Sequence, residues 1–447
     1  MTMKMKSIPR KQSTALCLCF VVGLIARTTI LADEPISLTR GEAIETAIRN
    51  NLDLAVVGLD IDRAAARLHW AGRLSNPELH LAGTTDAWGL DEGEESFEIG
   101  VTQQFPLTSR LKKDRMVSQR QVDLARIEFR ARQHELAYDV EKVWITLWAA
   151  ERSEQFQRKL LDLNKEIVAF LTDRVQLGEV SPLDTVQASL NGNLLEQRLG
   201  ISQAKVASTR SELQAVLGLA PGQSIQLAGD LTFPAEVPSS SLDLETVLGR
   251  RPDHAALLAS RGLAQAQREL AETRRWDDVA VKVFVEQETS NDEPVGLEDN
   301  TLAGIGFSIP LPFRKQNGLD IEKAEIDQRK ANRAIDAKRF EVGHSLAAAV
   351  ATRKWAHRLA VAAGGEALSL AAKNLADLQA AQQSGLAGPL QVQQAQAQLL
   401  QLETSALELR QRFHLADAEV RFLSGTYPMF NEVHEASHFV SRPEVSP

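Results

Sequence analysis

Side chains that bind, exchange protons or attack are few in this 447-residue sequence. His434 and His438 stand four residues apart near the C-terminal end, with Glu432 and Glu435 beside them. On a helix that spacing could hold a divalent metal. A solvated polar tail is the competing reading so close to a chain end. Asp184 follows Gly178, Ser181 and Pro182, which places it in the first turn of a helix, where the dipole favours an acid. Gln391 and Gln394 follow Gly385, Gly388 and Pro389. There is no phosphate loop, no serine nucleophile elbow and no common paired metal-ligand motif. The two cysteines, Cys17 and Cys19, lie inside the leading segment, so the rest of the chain offers no thiolate and no disulfide. The expectation is a protein that is not an enzyme and carries no cofactor.

The leading segment, 1–32, reads as a secretory signal peptide. Lys4, Lys6, Arg10 and Lys11 make a basic start, Ala15 to Ala26 is an apolar run, and Ala32 is a small residue at a plausible cleavage point. An uncleaved anchor is the alternative, but the run falls short of the roughly 20 residues that span a bilayer. Removing its five basic residues takes the formal charge from −9 to −14. So acidic a chain is a poor partner for nucleic acid. It suits a passage for cations, and it is also merely compatible with solubility.

The elements that must position these residues come in two copies. Glu45 to Asp53 resembles Glu245 to Asp253; Phe105-Pro106-Leu107 resembles Ile309-Pro310-Leu311; Gly178 to Leu183 resembles Gly385 to Leu390. Three landmarks in one order at nearly constant offset argue for a duplicated unit. The units are 33–218 and 243–425, joined by 219–242 and followed by a tail over 426–447. Each begins with an amphipathic helix, roughly 39–74 and 243–275. In the first unit two strands (79–86 and 96–105) precede long helices over 108–177 and 182–217. In the second, strands over 279–288 and 301–309 precede long helices over 316–384 and 389–424. Leu107 to Leu177 contains neither Gly nor Pro. Some 65 helical residues extend about 100 Å, longer than any compact domain needs. Taken alone, such helices would equally suit a coiled-coil scaffold. At each long-helix reversal Gly suits the C′ position and Pro the first turn of the next helix.

The strands separate these readings. Phe97, Ile99, Val101 and Phe105 share one face, opposite Glu98, Gly100, Thr102 and Gln104. Val279, Val281, Val283 and Val285 alternate with Ala280, Lys282, Phe284 and Glu286. Leu79 and Leu81 repeat the pattern, as do Ala303, Ile305, Phe307 and Ile309. Apolar outside and polar or small inside is the dyad of a membrane barrel strand. Polar stretches over 84–95 and 287–300 have the character of external loops. Four strands cannot close a barrel, and lipid tolerates no open edge. Three chains would bring twelve strands. The soluble alternative is two hairpins packed on helices with their apolar faces inward.

Several stretches together resemble a known family. They are Gly72-Arg-Leu-Ser-Asn-Pro77, Phe105-Pro-Leu, Gly178 to Asp184, Arg251-Pro-Asp253, Phe307 to Pro312 with Asn317-Gly318, and Val420 to Gly425. The chain resembles TolC-like outer-membrane efflux proteins, and particularly the outer-membrane component of cobalt–zinc–cadmium resistance systems, over about 38–425. The resemblance implies a mainly α fold with a small β part. Long α-helical hairpins would form a periplasmic tunnel, and four strands per chain would join a trimeric outer-membrane barrel. It implies a homotrimer set in outer-membrane lipid, a periplasmic adaptor, and an inner-membrane pump of the resistance–nodulation–division type. Gly178, Ser181, Pro182, Gly385, Gly388 and Pro389 would then form the adaptor-docking tips, and 219–242 with 426–447 a belt around the middle. Asp184 would line the entrance as a ring of carboxylates favouring cations. Drug-efflux members often carry Arg, Tyr and Asp near the constriction; here the corresponding stretch offers Gln391 and Gln394 as neutral ring residues. The expected role is a passive exit duct for heavy-metal cations. A duct for drugs or organic solutes is the alternative within the class, and a soluble coiled-coil scaffold the alternative outside it.

Overall fold

A computed structural model of the chain describes residues 36–85, 93–237, 243–292, 296–311, 313 and 317–427. In the first half, strand β1 (Ile36–Leu38) leads into α1 (Arg40–Asn50) and α2 (Leu52–Trp70). Strands β2 (Glu78–Thr85) and β3 (Glu95–Phe105) follow, then helices α3 (Arg110–Gln176) and α4 (Pro182–Leu217). A short strand, β4 (Ile225–Leu227), opens the connection to the second half. There α5 (Leu244–Arg250) and α6 (Pro252–Thr273) precede β5 (Val279–Asp292) and β6 (Gly296–Ser308). Helices α7 (Gly318–Gly364), α8 (Glu366–Gln383) and α9 (Pro389–Leu423) complete the chain. The 67 residues of α3 run about 100 Å at 1.5 Å per residue.

Three stretches that read as single helices are divided. The stretch 39–74 breaks at Asn51 and 243–275 breaks at Arg251, both extended in backbone. Each break is made by a side chain that reaches the end of a long helix in its own half. Asn51 caps Leu54 through its Oδ1 and donates Nδ2 to the Val216 carbonyl at 2.9 Å. Arg251 donates to the Leu423 carbonyl at 2.9 Å and grips Asp253 through two nitrogens. Gly218 and Gly425 end those long helices in the left-handed region, at φ +70 and +67. A Cβ on Gly218 would lie 2.2 Å from the Asn50 carbonyl oxygen, so only glycine allows α4 to end against the α1–α2 corner. The third division, of 316–384, falls at Gly364–Gly365, where two residues without side chains interrupt the helix that α3 keeps whole.

Four strands form one antiparallel sheet in the order β2-β3-β5-β6, so the two halves join through β3 and β5. The register aligns Leu79, Val101, Val283 and Ile305 in one row and Leu81, Ile99, Val285 and Ala303 in the next. Most of these apolar side chains are exposed. The ladders of β5 and β6 pair as far as Asp292 with Gly296, so much of 287–300 is strand and not loop. There the Thr289 hydroxyl donates to Asp299 Oδ1 across the ladder at 2.7 Å, where periodicity in apolar residues has stopped. Among the described residues β2 and β6 have one sheet neighbour each.

The main core lies where α1, α3, α4 and the end of α9 meet, around Trp144, Ile145, Leu147, Leu213 and Leu217. The parallel pair β1–β4 closes this waist, with Ile36 opposite Ile225 and Leu38 opposite Leu227. A second cluster, Ile167, Leu171, Ala188, Leu375, Val392 and Leu399, packs the distal ends of α3, α4, α8 and α9 together.

Candidate tunnel entrance and barrel wall

The distal end of the helical part consists of two reversals built alike. Helix α3 ends with Gly178 at φ +73; the Glu179 amide bonds the Arg174 carbonyl and the Gly178 amide bonds that of Val175. Helix α8 ends with Gly385 at φ +76, Leu386 bonding Ala381 and Gly385 bonding Gln382. Both are Schellman closures, which satisfy the last carbonyls of a helix. Ser181 accepts from the Leu183 amide at 3.2 Å, and Pro182 takes the first helical turn, where no amide is needed. Arg174 ties the tips together: it pairs with Glu179 and donates to the Gln383 carbonyl at 3.2 Å across the two hairpins.

Asp184 is partly exposed in the first turn of α4, its amide bonded to Ser181. Gln391 and Gln394 are exposed on α9. The Gln391 amide oxygen accepts from the Gly388 amide at 3.1 Å, supplying the cap that glycine lacks. That bond accounts for Gln391 without any contact to solute. The deeper glutamines escaped the sequence reading. Gln382, Gln393 and Gln396 are buried between the hairpins, and Gln382 Nε2, Gln393 Nε2 and both polar atoms of Gln396 lack a hydrogen-bond partner among the described residues. The run Gln391 to Gln401 carries six glutamines among apolar residues, the one signal that could have exposed them. Asn164 is likewise buried, donating to the Ala188 carbonyl at 3.1 Å while accepting from Asn191.

At the other end, the polar face of the sheet carries Glu98, with Lys282 Nζ at 2.5 Å and His80 Nε2 at 3.6 Å. Phe284 lies on that face between Gly100 and Gly304, and a Cβ on Gly304 would meet its ring at 2.5 Å. Glycine on both sides lets the ring lie along the wall. No helix among the described residues is long and apolar enough to cross a membrane. Among them, too, no group of three or more His, Cys, Asp or Glu is placed to hold a metal ion. His434 and His438 lie outside the described residues.

A tunnel-length helical body carrying a sheet with one apolar, exposed face is the architecture of an outer-membrane channel. Residues 43–219 and 244–426 each match the outer membrane efflux protein family, and the chain belongs to that family. The cobalt-zinc-cadmium resistance protein CzcC of Cupriavidus metallidurans is 22% identical over 312 residues, covering 69% of this chain and 71% of CzcC. The crystal structure of CusC superposes with a TM-score of 0.68 at 20% identity, over 87% of this chain and 92% of that one. The outer membrane channel CmeC of Campylobacter jejuni gives 0.67 at 14% identity, over 86% and 85%. VceC of Vibrio cholerae gives 0.66 at 17% identity, over 86% and 96%.

Proposed function

We propose that this chain is the exit duct of a tripartite efflux system and that it passes heavy-metal cations from a periplasmic adaptor and an inner-membrane pump to the exterior. The observation that carries this is the sheet: four strands with an exposed apolar face and an unfilled edge at β2 and at β6. Backbone groups left open in lipid each cost several kcal/mol, so the edges must find partners, and two further copies supply them. Three chains close a barrel over a threefold tunnel, whose wall is the long helices. The metal assignment rests on the relation to CzcC and on the acidic chain. The protein supplies a sealed passage, an entrance and a docking surface; the pump supplies the energy. Purified from detergent-extracted outer membrane, the full chain should appear as a threefold particle longer than about 100 Å. A monomeric or dimeric rod recovered without detergent would overturn the duct.

Asp184 repeats three times about the axis at the entrance, and carboxylates so placed concentrate cations. In planar bilayers under a salt gradient, Asp184→Asn should cut the cation-over-anion permeability ratio by about half or more. An unchanged reversal potential would leave Asp184 as a helix-start residue alone.

A further inference from the structure

Each half of the chain enters the sheet through a junction that carries tryptophan and arginine. After α2 the sequence runs Trp70-Ala-Gly-Arg73-Leu74, and after α6 it runs Arg274-Arg275-Trp276. Trp70 is 65% exposed and Trp276 45%. The Arg73 guanidinium lies 4.0 Å from the centre of the Trp70 ring, and it also contacts His69 Nε2 at 3.3 Å. A groove of about 470 Å³ opens here, lined by Leu68, His69, Gly72, Arg73 and Arg115. Asp114 accepts from the Gly72 amide beside it at 3.1 Å. Arg73, Arg115, Arg274 and Arg275 make no ion pair among the described residues, whereas Arg110 and Lys113 beside them are paired with Asp278 and Glu269. Asp277 is the other acid at the second junction, and it too is exposed.

Above the junction the exposed surface turns apolar. Phe105, Leu107, Ile309 and Leu311 adjoin the rows of Leu79, Val101 and Ile305. At the first junction the Arg73 guanidinium folds back over the Trp70 ring, and at the second the chain leads from the apolar wall back through Trp276 to unpaired Arg275 and Arg274. That is the order of hydrocarbon, interface and headgroup in a bilayer. Exposed tryptophan beside unpaired arginine recurs in both halves and gives two such positions per chain.

We propose that these junctions, the groove of His69, Arg73 and Arg115 and its counterpart at Arg274-Arg275-Trp276, bind the phosphate of an anionic phospholipid in the periplasm-facing leaflet, with the acyl chains running up the apolar sheet face. The inference rests on the barrel reading above. It is continuous with that face, and its arginines are cationic donors that no carboxylate pairs among the described residues. Tryptophan anchors the depth and arginine selects the charge.

The test is native mass spectrometry of the full chain in detergent, titrated with phosphatidylglycerol and, separately, phosphatidylethanolamine. Wild-type protein should hold phosphatidylglycerol in preference. Arg73→Gln with Arg275→Gln should weaken that binding by about fivefold for each arginine replaced, and the lysine pair should keep most of it. Should the double variant not be recovered from membrane, Arg275→Gln alone carries the same comparison, because its side chain is exposed and unpaired. Equal binding of both lipids by wild type, or unchanged phosphatidylglycerol binding in the glutamine variants, overturns the site while the barrel stands. Recovery of wild-type protein without detergent overturns the barrel and the site together.

Discussion

Glu141→Ala should destabilise the folded chain by about 3–5 kcal/mol, the cost of removing one partner from a buried ion pair. Glu141 is 1% exposed in the middle of α3. Its Oε1 accepts from Arg421 at 2.5 Å and from Arg40 at 3.1 Å, and its Oε2 accepts from the Tyr427 hydroxyl. One carboxylate thus joins α1, α3, α9 and the residue that follows the Gly425 turn. Burial and the carboxylate beside it push the Tyr427 hydroxyl far above the ordinary value for tyrosine, so it stays a donor. With alanine at 141, the partners left among the described residues are Asp417 for Arg421, at 3.4 Å, and the Ala418 carbonyl for the tyrosine. Glu141→Gln keeps the shape and one acceptor and should fall between wild type and alanine. Urea unfolding followed by tryptophan fluorescence reads the difference, since Trp144 lies one turn away. A change under about 0.5 kcal/mol in the alanine variant would show that the node contributes no more than a surface residue.

Acid should weaken the fold through two histidines. His134 stacks on Phe422 with ring centres 4.9 Å apart, and His414 sits edge-on to Phe413 at 5.1 Å. Nε2 of each lacks a hydrogen-bond partner among the described residues. Burial lowers His134 to about 4, helped by Arg251 and opposed by Asp253 and Glu135. Burial likewise lowers His414 to about 4, with Asp417 opposing and Arg40, Arg421 and Arg410 helping. Between the ordinary 6.5 and the folded 4 the unfolded chain binds more protons, so stability rises with pH across that window. The contribution is complete above 6.5, is lost as pH falls toward 4, and changes no further below it. Each histidine accounts for about 3 kcal/mol of that loss. His134→Phe with His414→Phe should flatten the denaturation midpoint between pH 6.5 and 4. A slope identical to wild type would assign the acid response to carboxylates elsewhere.

The sequence carried the large elements because long helices and dyad strands are periodic over many residues. Val279 to Val285 alternates without fault, and Leu107 to Leu177 has no breaker to stop a helix. Single side chains that decide local geometry were not legible in that way. Asn51 and Arg251 divide two helices by reaching Val216 and Leu423, contacts about 170 residues away that no local pattern announces. The β1–β4 pair is three residues long on each side, too short for any period. Glu141 reads as an interruption of an apolar face until Arg40, Arg421 and Tyr427 converge on it. At the two hairpin tips the turns were legible, since the positive φ there calls for Gly178 and Gly385. The part played by Gln391 was not, because its partner is the backbone amide of a glycine.

The break at Gly364–Gly365 gives the two halves different stiffness. Backbone hydrogen bonds run uninterrupted along α3, so a sideways load at its tip is carried over the whole rod. In the second half the same load meets a joint between α7 and α8, where Arg410 lies 3.4 Å from where a Cβ on Gly364 would be. The two halves thus carry an unbroken helix α3 and a divided pair α7–α8 at corresponding places. The α8–α9 tip still moves with its neighbours, because the cluster of Ile167, Leu171, Ala188, Leu375 and Val392 and the Arg174–Gln383 hydrogen bond hold it against α3 and α4.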